Sequence, residues 1–532
     1  MKTYMIGALL ASAALLASPA AAAVKGYDPT EKSIAELKAD LASGRTTSVE
    51  LVRAYEARIA RLNPKLHAVI AVNPDALKIA AASDAARKAG KPLGPLAGIP
   101  VIIKDNIESA DPMPTTAGSL ALAHNVTHRD APLAAGLRSA GAIILAKANL
   151  SEWANIRSNH SISGWSGVGG QTRNPYALDR NTCGSSSGSG AAGAASLAAA
   201  TIGTETDGSV TCPAAINGLV GLKPTVGMVS RTHVVPISHS QDTAGPMTRS
   251  VADAAALMNA IAGSDPADPA TAMADAKKSD FLAALRPDAL KGVRIGVLRF
   301  AADFEPGTER VFNSALAALQ AQGATLVDIK APPPSHDLSM EHGIMMTELK
   351  ADLNAYLAST SPAQVPTRTL ADLIAFDRAH AAQEMPWFAQ EQFELAEKTK
   401  GLNDPDYLKA EADAHRIAGP EGIDKLLADN SVSVLIAPTL GPSWLIDPVL
   451  KDRFVGGGVG QAPAVAGYPH LTVPMGLVDG LPVGLSFVGP AWSDAQLLAY
   501  GYAFEQATHA RRPPQYLPSI AGGFGRGVAH RR

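Results

Sequence analysis

Two short runs of consecutive apolar residues, Pro100-Val101-Ile102-Ile103 and Ala142-Ile143-Ile144-Leu145-Ala146, restrict the fold more than any other feature of the chain. Each is too short for a typical helix and rich in β-branched residues. Neither alternates polar with apolar positions, so both read as strands buried on two faces. Helical patterns stand between and around them. Ser33-Ile34-Ala35-Glu36 opens one as a capping box, with Leu37 and Leu41 on its apolar stripe and Gly44 at its end. Thr47-Ser48-Val49-Glu50 opens a second, carrying Leu51, Tyr55 and Ile59 up to a stop at Pro64, and residues 130–137 read as a third, capped by Asp130. A further helix is expected over the alanine-rich residues 191–200. Strand-like runs return at Val293 to Leu298, Val434 to Pro438, His470 to Pro474 and Leu481 to Leu485. Helix alternating with all-apolar strand predicts an α/β fold whose central sheet is covered by helices on both faces.

At 532 residues the chain exceeds the usual single domain, so two domains or one large elaborated domain is expected. Charged residues make up 18%, below the roughly 25% of ordinary soluble domains, and 46% are hydrophobic, which calls for a large core. A net charge of −3 offers no footprint for nucleic acid or an anionic membrane. Residues 1–23 read as a secretory signal peptide, with Lys2, an apolar stretch from Met5 rich in alanine and leucine, and small residues at Ala20 and Ala22 for cleavage. No later segment has the ~20-residue apolar span of a membrane helix. The expected mature protein occupies residues 24–520 with a frayed tail at 521–532. It is exported to the periplasm or beyond, free of the membrane once the leader is removed, and a monomer or homodimer. Residues 275–435 are expected as a helical insertion, helix-rich with scattered aromatics, Tyr356, Phe376, Trp387, Phe388 and Phe393, which either line a substrate pocket or form ordinary core.

The glycine- and serine-rich segment at 183–193 admits several readings. Gly188-x-Gly190-x-x-Gly193 fits a dinucleotide fingerprint, but that motif requires a strand directly before it, and Leu178-Asp179-Arg180-Asn181-Thr182 is polar and turn-like. Gly184-x-Ser186-x-Gly188 fits a nucleophile elbow, which needs the same preceding strand and a histidine partner; His233, His239 and His470 stand in no signature context. A flexible linker is disfavoured because the segment runs straight into the alanine stretch instead of joining two domains.

The whole arrangement resembles the amidase signature family. The resemblance rests on Cys183-Gly184-Ser185-Ser186-Ser187-Gly188-Ser189-Gly190, Gly203-Thr204-Glu205-Thr206-Asp207-Gly208-Ser209, Gly218-Leu219-Val220-Gly221-Leu222-Lys223-Pro224-Thr225 and Ser240-Gln241-Asp242-Thr243-Ala244-Gly245-Pro246. Upstream, Gly98 to Asn106 matches the family's lysine strand, and downstream Gly480-Leu481-Pro482-Val483-Gly484 matches its closing hairpin; the resemblance covers roughly residues 30 to 515. The resemblance implies a single large domain with a mixed, twisted sheet, and a serine hydrolase of carboxylic amides. It makes Ser209 the nucleophile, Ser185 the bridging serine after a cis Gly184–Ser185 bond, and Lys104 the base. It also makes the backbone N–H groups of Thr206, Asp207, Gly208 and Ser209 the oxyanion hole, and the carbonyl of Ala154 a holder of the leaving amine. The wording Asp-Gly-Ser-x-x-Cys-Pro, with Arg173-Asn174-Pro175-Tyr176 and Asn149 to Ala154, is similar to that of bacterial peptide amidases, which remove ammonia from C-terminal peptide amides.

The chemistry of these residue types agrees with that implication. A serine hydroxyl is a weak nucleophile until a neighbouring base takes its proton. An amine serves as that base near neutral pH only when burial lowers its pKa, and Val101-Ile102-Ile103 promises Lys104 an apolar wall. Lys147 and Lys223, also in apolar or turn contexts, are expected to satisfy carbonyls or loops. Asp207 stands where glycine is commoner in the family. An anion facing an oxyanion would raise the barrier, so its side chain is expected to turn away, to cap or to hold Lys104 or Thr211.

Two cysteines exclude a disulfide framework or an all-cysteine metal site. Cys183 and Cys212 are expected as two buried thiols, with a single disulfide as the alternative if the serine segments meet in space. No H-x-H, H-E-x-x-H or Cys/His spacing marks a metal, and no cofactor is expected. An aryl-amide, ester or carbamate hydrolase of the same mechanism, and a non-hydrolytic amidotransferase-type subunit, are the alternative readings.

Overall fold

The computed structural model describes residues 26–520; the leader and tail readings lie outside the described residues. Thirteen strands form among the described residues, β1 (Val69–Val72), β2 (Pro100–Lys104), β3 (Ile143–Ala148), β4 (Trp165–Ser166), β5 (Gly170–Gln171), β6 (Ala200–Glu205), β7 (Val220–Lys223), β8 (Thr243–Thr248), β9 (Arg294–Leu298), β10 (Thr325–Ile329), β11 (Val434–Pro438), β12 (His470–Val478) and β13 (Leu481–Val488). All but the β4–β5 ribbon join one sheet in the order β1-β3-β2-β6-β8-β7-β12-β13-β11-β9-β10. Its pairings are mixed: β3–β2–β6 and β11–β9–β10 are parallel, and the rest are antiparallel. Every residue of β2, β3, β6, β8, β11 and β13 is buried. That is the signature of strands covered on both faces, and the chain is a large single domain with helices flanking a mixed central sheet. The β12–β13 hairpin closes through Asp479 and Gly480 at φ 49° and 85°, the left-handed pair that suits a tight antiparallel turn.

The first helices follow their caps. In α1 (Ile34–Ala42) and α2 (Ser48–Leu66) the Ser33–Glu36 and Thr47–Glu50 boxes are both complete. Pro64 does not stop α2, which runs to Leu66, because a proline in the last turn removes only one helical hydrogen bond. Asp130 caps nothing either. The helix starts at Pro132, and the Asp130 carboxylate accepts from the Ala110 N–H and from Arg138. The alanine run also departs from expectation: the helix is Ser187–Ala194, formed by the glycine-serine segment itself, and Ala200 already begins β6. Small residues let this helix press against the chain below, since a Cβ on Gly188 would lie 2.2 Å from the carbonyl oxygen of Asn149.

Residues 275–435 are not a separate insertion, because β9 and β10 extend the main sheet at one edge. The helices Glu341–Ser359, Leu370–Ala379 and Glu391–Glu397 build a second core with Tyr356 and Phe393 buried and Phe376 packed against them. Trp153 meets Phe393 edge-on at 5.9 Å, so this helical layer clamps the segment that carries Ala154. Trp165 and Phe388 make another edge contact at 5.2 Å, whereas Trp387 is half exposed.

Candidate active site

Adjacent strands deliver Lys104 and the loop that carries Ser209. Lys104 is the last residue of β2, and β6 pairs with β2 in parallel, so the chain leaving β6 at Glu205 turns beside the lysine. The Lys104 ammonium is fully buried. It donates to Ser185 Oγ at 2.7 Å and to Thr204 Oγ1 at 2.7 Å. Burial pushes its pKa down to about 7, against the opposing pull of the Asp242 and Glu205 carboxylates.

Ser185 enters from the turn before the Ser187–Ala194 helix, where Cys183 and Gly184 both sit at φ 56°. No peptide bond among the described residues is cis, so the expected cis Gly184–Ser185 bond is not found; the turn is made by the two left-handed residues instead. Ser151 fastens it, its N–H donating to the Ser185 carbonyl and its Oγ to the Gly184 carbonyl. The backbone N–H of Ser185 donates to Ser209 Oγ at 3.0 Å. Among the described residues no hydrogen bond joins the two hydroxyls. Ser186, the elbow candidate, is spent on structure: its hydroxyl donates to the Thr204 carbonyl and accepts from the Thr204 N–H.

Between β6 and the helix Thr211–Ile216 the chain makes the loop that holds Ser209. Glu205 shapes it by accepting from the N–H groups of Val210 and Thr211, at 2.7 and 2.9 Å. Asp242 holds the other side, accepting from Thr206 Oγ1 at 2.6 Å and from the N–H groups of Ile237 and Ser238. Gly208 needs its φ of 73°. The N–H groups of Asp207, Gly208 and Ser209 find no acceptor among the described residues, and these three residues line one cleft. Amides collected in a turn and left unpaired are the donors an oxyanion requires.

Asp207 departs from expectation. It caps nothing and holds neither Lys104 nor Thr211; Glu205 takes the Thr211 N–H, and Ser185 and Thr204 take the lysine. Its carboxyl opens onto the cleft without a hydrogen-bond partner among the described residues. Asp207 is exposed to the cleft, yet desolvation first, then the nearby Glu341 and Glu205, push its pKa well above the carboxylate range, against Lys223.

Ala154 lies within three consecutive left-handed residues, Trp153, Ala154 and Asn155 at φ 47°, 53° and 72°. Such strain persists only where the surroundings impose it. Here the Trp153 N–H donates to the Ala117 carbonyl, Ser161 holds the Asn155 carbonyl, and Phe393 packs on Trp153. The Ala154 carbonyl accepts no hydrogen bond among the described residues and sits where the main cleft, about 880 Å³, meets a second cavity of about 340 Å³.

Cys183 and Cys212 form a disulfide, with Cα atoms 5.8 Å apart, so the reading as two buried thiols is not borne out. The bond ties the Ser185 turn to the helix that follows Ser209. Lys147 and Lys223 behave as expected, donating to the carbonyls of Ile107 and Pro224. His470 lines the cleft, but burial keeps it neutral, with a pKa near 3, and its Nε2 bonds Ser486. His239, Glu348 and Asp352 place ligand atoms close enough for a metal ion, yet Ser238, Ser240 and Tyr407 already occupy Glu348, and Asp352 occupies His239 Nδ1. Thr204, Glu205 and Asp242 have site roles that residue-level reading of the sequence missed. The available signal for the two acids was their place inside the 203–209 and 240–246 motifs, where burial demands a partner.

The family model described as Amidase matches residues 50–498. A protein of Arabidopsis thaliana described as a probable amidase is 38% identical over 498 residues, 92% of each chain. A glutamyl-tRNA(Gln) amidotransferase subunit of a Synechococcus strain is 35% identical over 92% of this chain and 95% of its own. Among solved structures, the native peptide amidase of Stenotrophomonas maltophilia is 52% identical with a TM-score of 0.87, covering 92% of this chain and 99% of that one. With a lysine, two serines and an unpaired amide cradle assembled at one cleft, the chain is an amide-hydrolysing enzyme that belongs to the amidase signature family.

Proposed function

We propose that the protein hydrolyses the C-terminal amide of peptides, releasing ammonia, through an acyl-enzyme on Ser209. The observation that carries this reading is the grouping of three side chains: Lys104 Nζ lies 2.7 Å from Ser185 Oγ, and the Ser185 N–H holds Ser209 Oγ at 3.0 Å. Lys104, with its pKa lowered to about 7, is neutral in a large fraction of molecules at neutral pH and can accept a proton there. In the reactive complex the Ser209 hydroxyl turns toward Ser185 Oγ and loses its proton to it, while Ser185 passes its own to Lys104, as the Ser209 oxygen attacks the amide carbon. The amides of Thr206, Asp207, Gly208 and Ser209 receive the oxyanion, and the free Ala154 carbonyl accepts from the leaving nitrogen. The same proton returns by way of Ser185 to that nitrogen, the C–N bond breaks and the amine departs. Water then attacks the ester along the reverse proton route, which frees the acid and restores Ser209.

The peptide acyl group is supported by the likeness to the Stenotrophomonas enzyme. The second cavity beside Ala154 favours a second reading, in which amines larger than ammonia also leave. Ammonia release from peptide amides, measured beside aniline release from the matching anilides, tests both. Hydrolysis of the anilides alone overturns the peptide-amide reading, and a rapid-quench mass spectrum without an acyl adduct on Ser209 overturns the mechanism. We propose further that residues 1–23 are removed on export to the periplasm. The Cys183–Cys212 bond supports an oxidising compartment, and N-terminal sequencing of the protein from a periplasmic fraction tests it.

A further inference from the structure

We infer that residues 445–458 form an apolar lip that binds the side chains upstream of the scissile amide. Peptide amides with a large apolar residue just before the terminal one are then the preferred substrates. This rests on the peptide-amide reading above.

Five large apolar side chains in this segment are exposed: Val449 at 80%, Phe454 at 62%, Leu450 at 53%, Leu445 at 51% and Val455 at 45%. Single exposed apolar residues are ordinary, whereas a contiguous patch marks a binding surface. Val449, Leu450 and Phe454 also line the cleft that holds Ser209, so the patch continues the catalytic cleft outward.

The lip is held in place. Asp452 accepts from the Ser163 N–H and hydroxyl, from Asn181 Nδ2 and from Trp444 Nε1, at 2.6 to 3.2 Å. Phe454 leans on the buried Trp444 ring with centroids 4.6 Å apart. Gly457, at φ 78°, lets Phe304 sit where a Cβ would come within 2.0 Å of its ring. A surface ordered before the ligand arrives loses less entropy on binding.

The floor beneath the lip is polar. The side chains of Asn159 and His160 and the carboxyl of Asp207 line the same cleft and make no hydrogen bond among the described residues. A peptide brings N–H and C=O groups to such a floor while its side chains reach the lip. A plain alkyl chain would strip water from those groups and offer nothing in return. The floor and lip together therefore select a peptide with apolar side chains.

The test uses full-length protein and four substrates, N-acetyl-X-alaninamide with X as leucine, phenylalanine, serine or aspartate, read by ammonia release. The expected result is a kcat/KM about tenfold higher for leucine and phenylalanine than for serine, the effect of partly burying one large apolar side chain. In L450S/F454S that ratio falls toward unity, with an unchanged melting temperature as the control for folding. Equal rates for all four substrates, or a ratio untouched by the double substitution, overturn the proposal. Preference for aspartate also overturns it, and assigns the position to Arg453 on the same lip. If the variant does not fold, the wild-type series decides alone. Peptide amides cleaved without apolar preference sink this inference only, whereas no cleavage of any peptide amide sinks the reading it rests on as well.

Discussion

The main chain of Ser185, rather than its hydroxyl, holds Ser209 in the resting site: its N–H donates to Ser209 Oγ at 3.0 Å, while its own Oγ accepts from Lys104. On the proposed mechanism one residue thus holds the nucleophile with its backbone and serves the base with its side chain, and the two jobs can be separated by mutation.

Ser185→Ala keeps the N–H and removes the bridge. The expected result is a loss of ~10²–10⁴ in kcat with KM little changed, the scale on which a positioned proton carrier acts. Steady-state kinetics check it. A parallel rise in KM would mean that the substitution had displaced Ser209 instead.

Ser209→Ala is expected to abolish both turnover and labelling by a fluorophosphonate. Ser186→Ala should leave labelling at Ser209 intact and lower stability by about 1–2 kcal/mol, because the Ser186 hydroxyl serves only the backbone of Thr204. Peptide mapping of the adduct to Ser186 would overturn both assignments.

The pH profile follows from Lys104. On the proposed mechanism its neutral amine is the reactive form, and its pKa is lowered to about 7, so kcat/KM should climb as pH rises through about 7 and level off above it. The Asp242 carboxylate pulls that pKa upward. Asp242→Asn therefore moves the acid limb to lower pH, a shift read directly from the profile. A limb that stays in place would mean that another group titrates there.

Where the sequence was legible, it was because a residue's surroundings are local. The all-apolar strands at 100–104 and 143–148, both capping boxes and the Asp479–Gly480 hairpin each depend on a few adjacent residues. The strand Arg294–Leu298 was equally readable as a strand, but its place one strand in from the edge of the main sheet is set by pairings with residues 325–329 and 434–436, far along the chain. The site divides the same way. Lys104, Ser185 and Ser209 are recognisable from their motifs, whereas the direction of Asp207 depends on Glu205 winning the contest for the amides of Val210 and Thr211. No spacing rule could decide between those two acids. Pro64 and the 191–200 run misled because propensity was overridden, by a helix end already secured by Asn63 and by the need to enter β6 at Ala200.

The Cys183–Cys212 bond closes a loop over a sequence separation of 29 around the serine turn. On the chain-entropy model such a loop contributes about 3–4 kcal/mol. Cys183→Ala/Cys212→Ala should therefore unfold at a lower temperature than the parent. Because Ser151 also fastens the Ser185 turn, the double variant should keep measurable turnover below its own transition. Calorimetry and ammonia release on one sample check both halves; an unchanged melting temperature would show that packing alone holds the turn.

Asp207 supplies a second titration beside that of Lys104. It lines the cleft that holds Ser209, and desolvation, with Glu341 and Glu205, raises its pKa well above the usual carboxylate range. Below that pKa it is neutral; as pH rises through it the carboxyl ionises, and on the proposed mechanism its negative charge opposes the oxyanion developing in the same cleft. The wild-type kcat should consequently fall as Asp207 ionises. Asp207→Asn keeps the shape, loses the ionisation, and should remove that fall while the limb near pH 7 stays where Lys104 puts it. A fall that survives in the variant would assign it to another group and leave Asp207 a bystander to the chemistry.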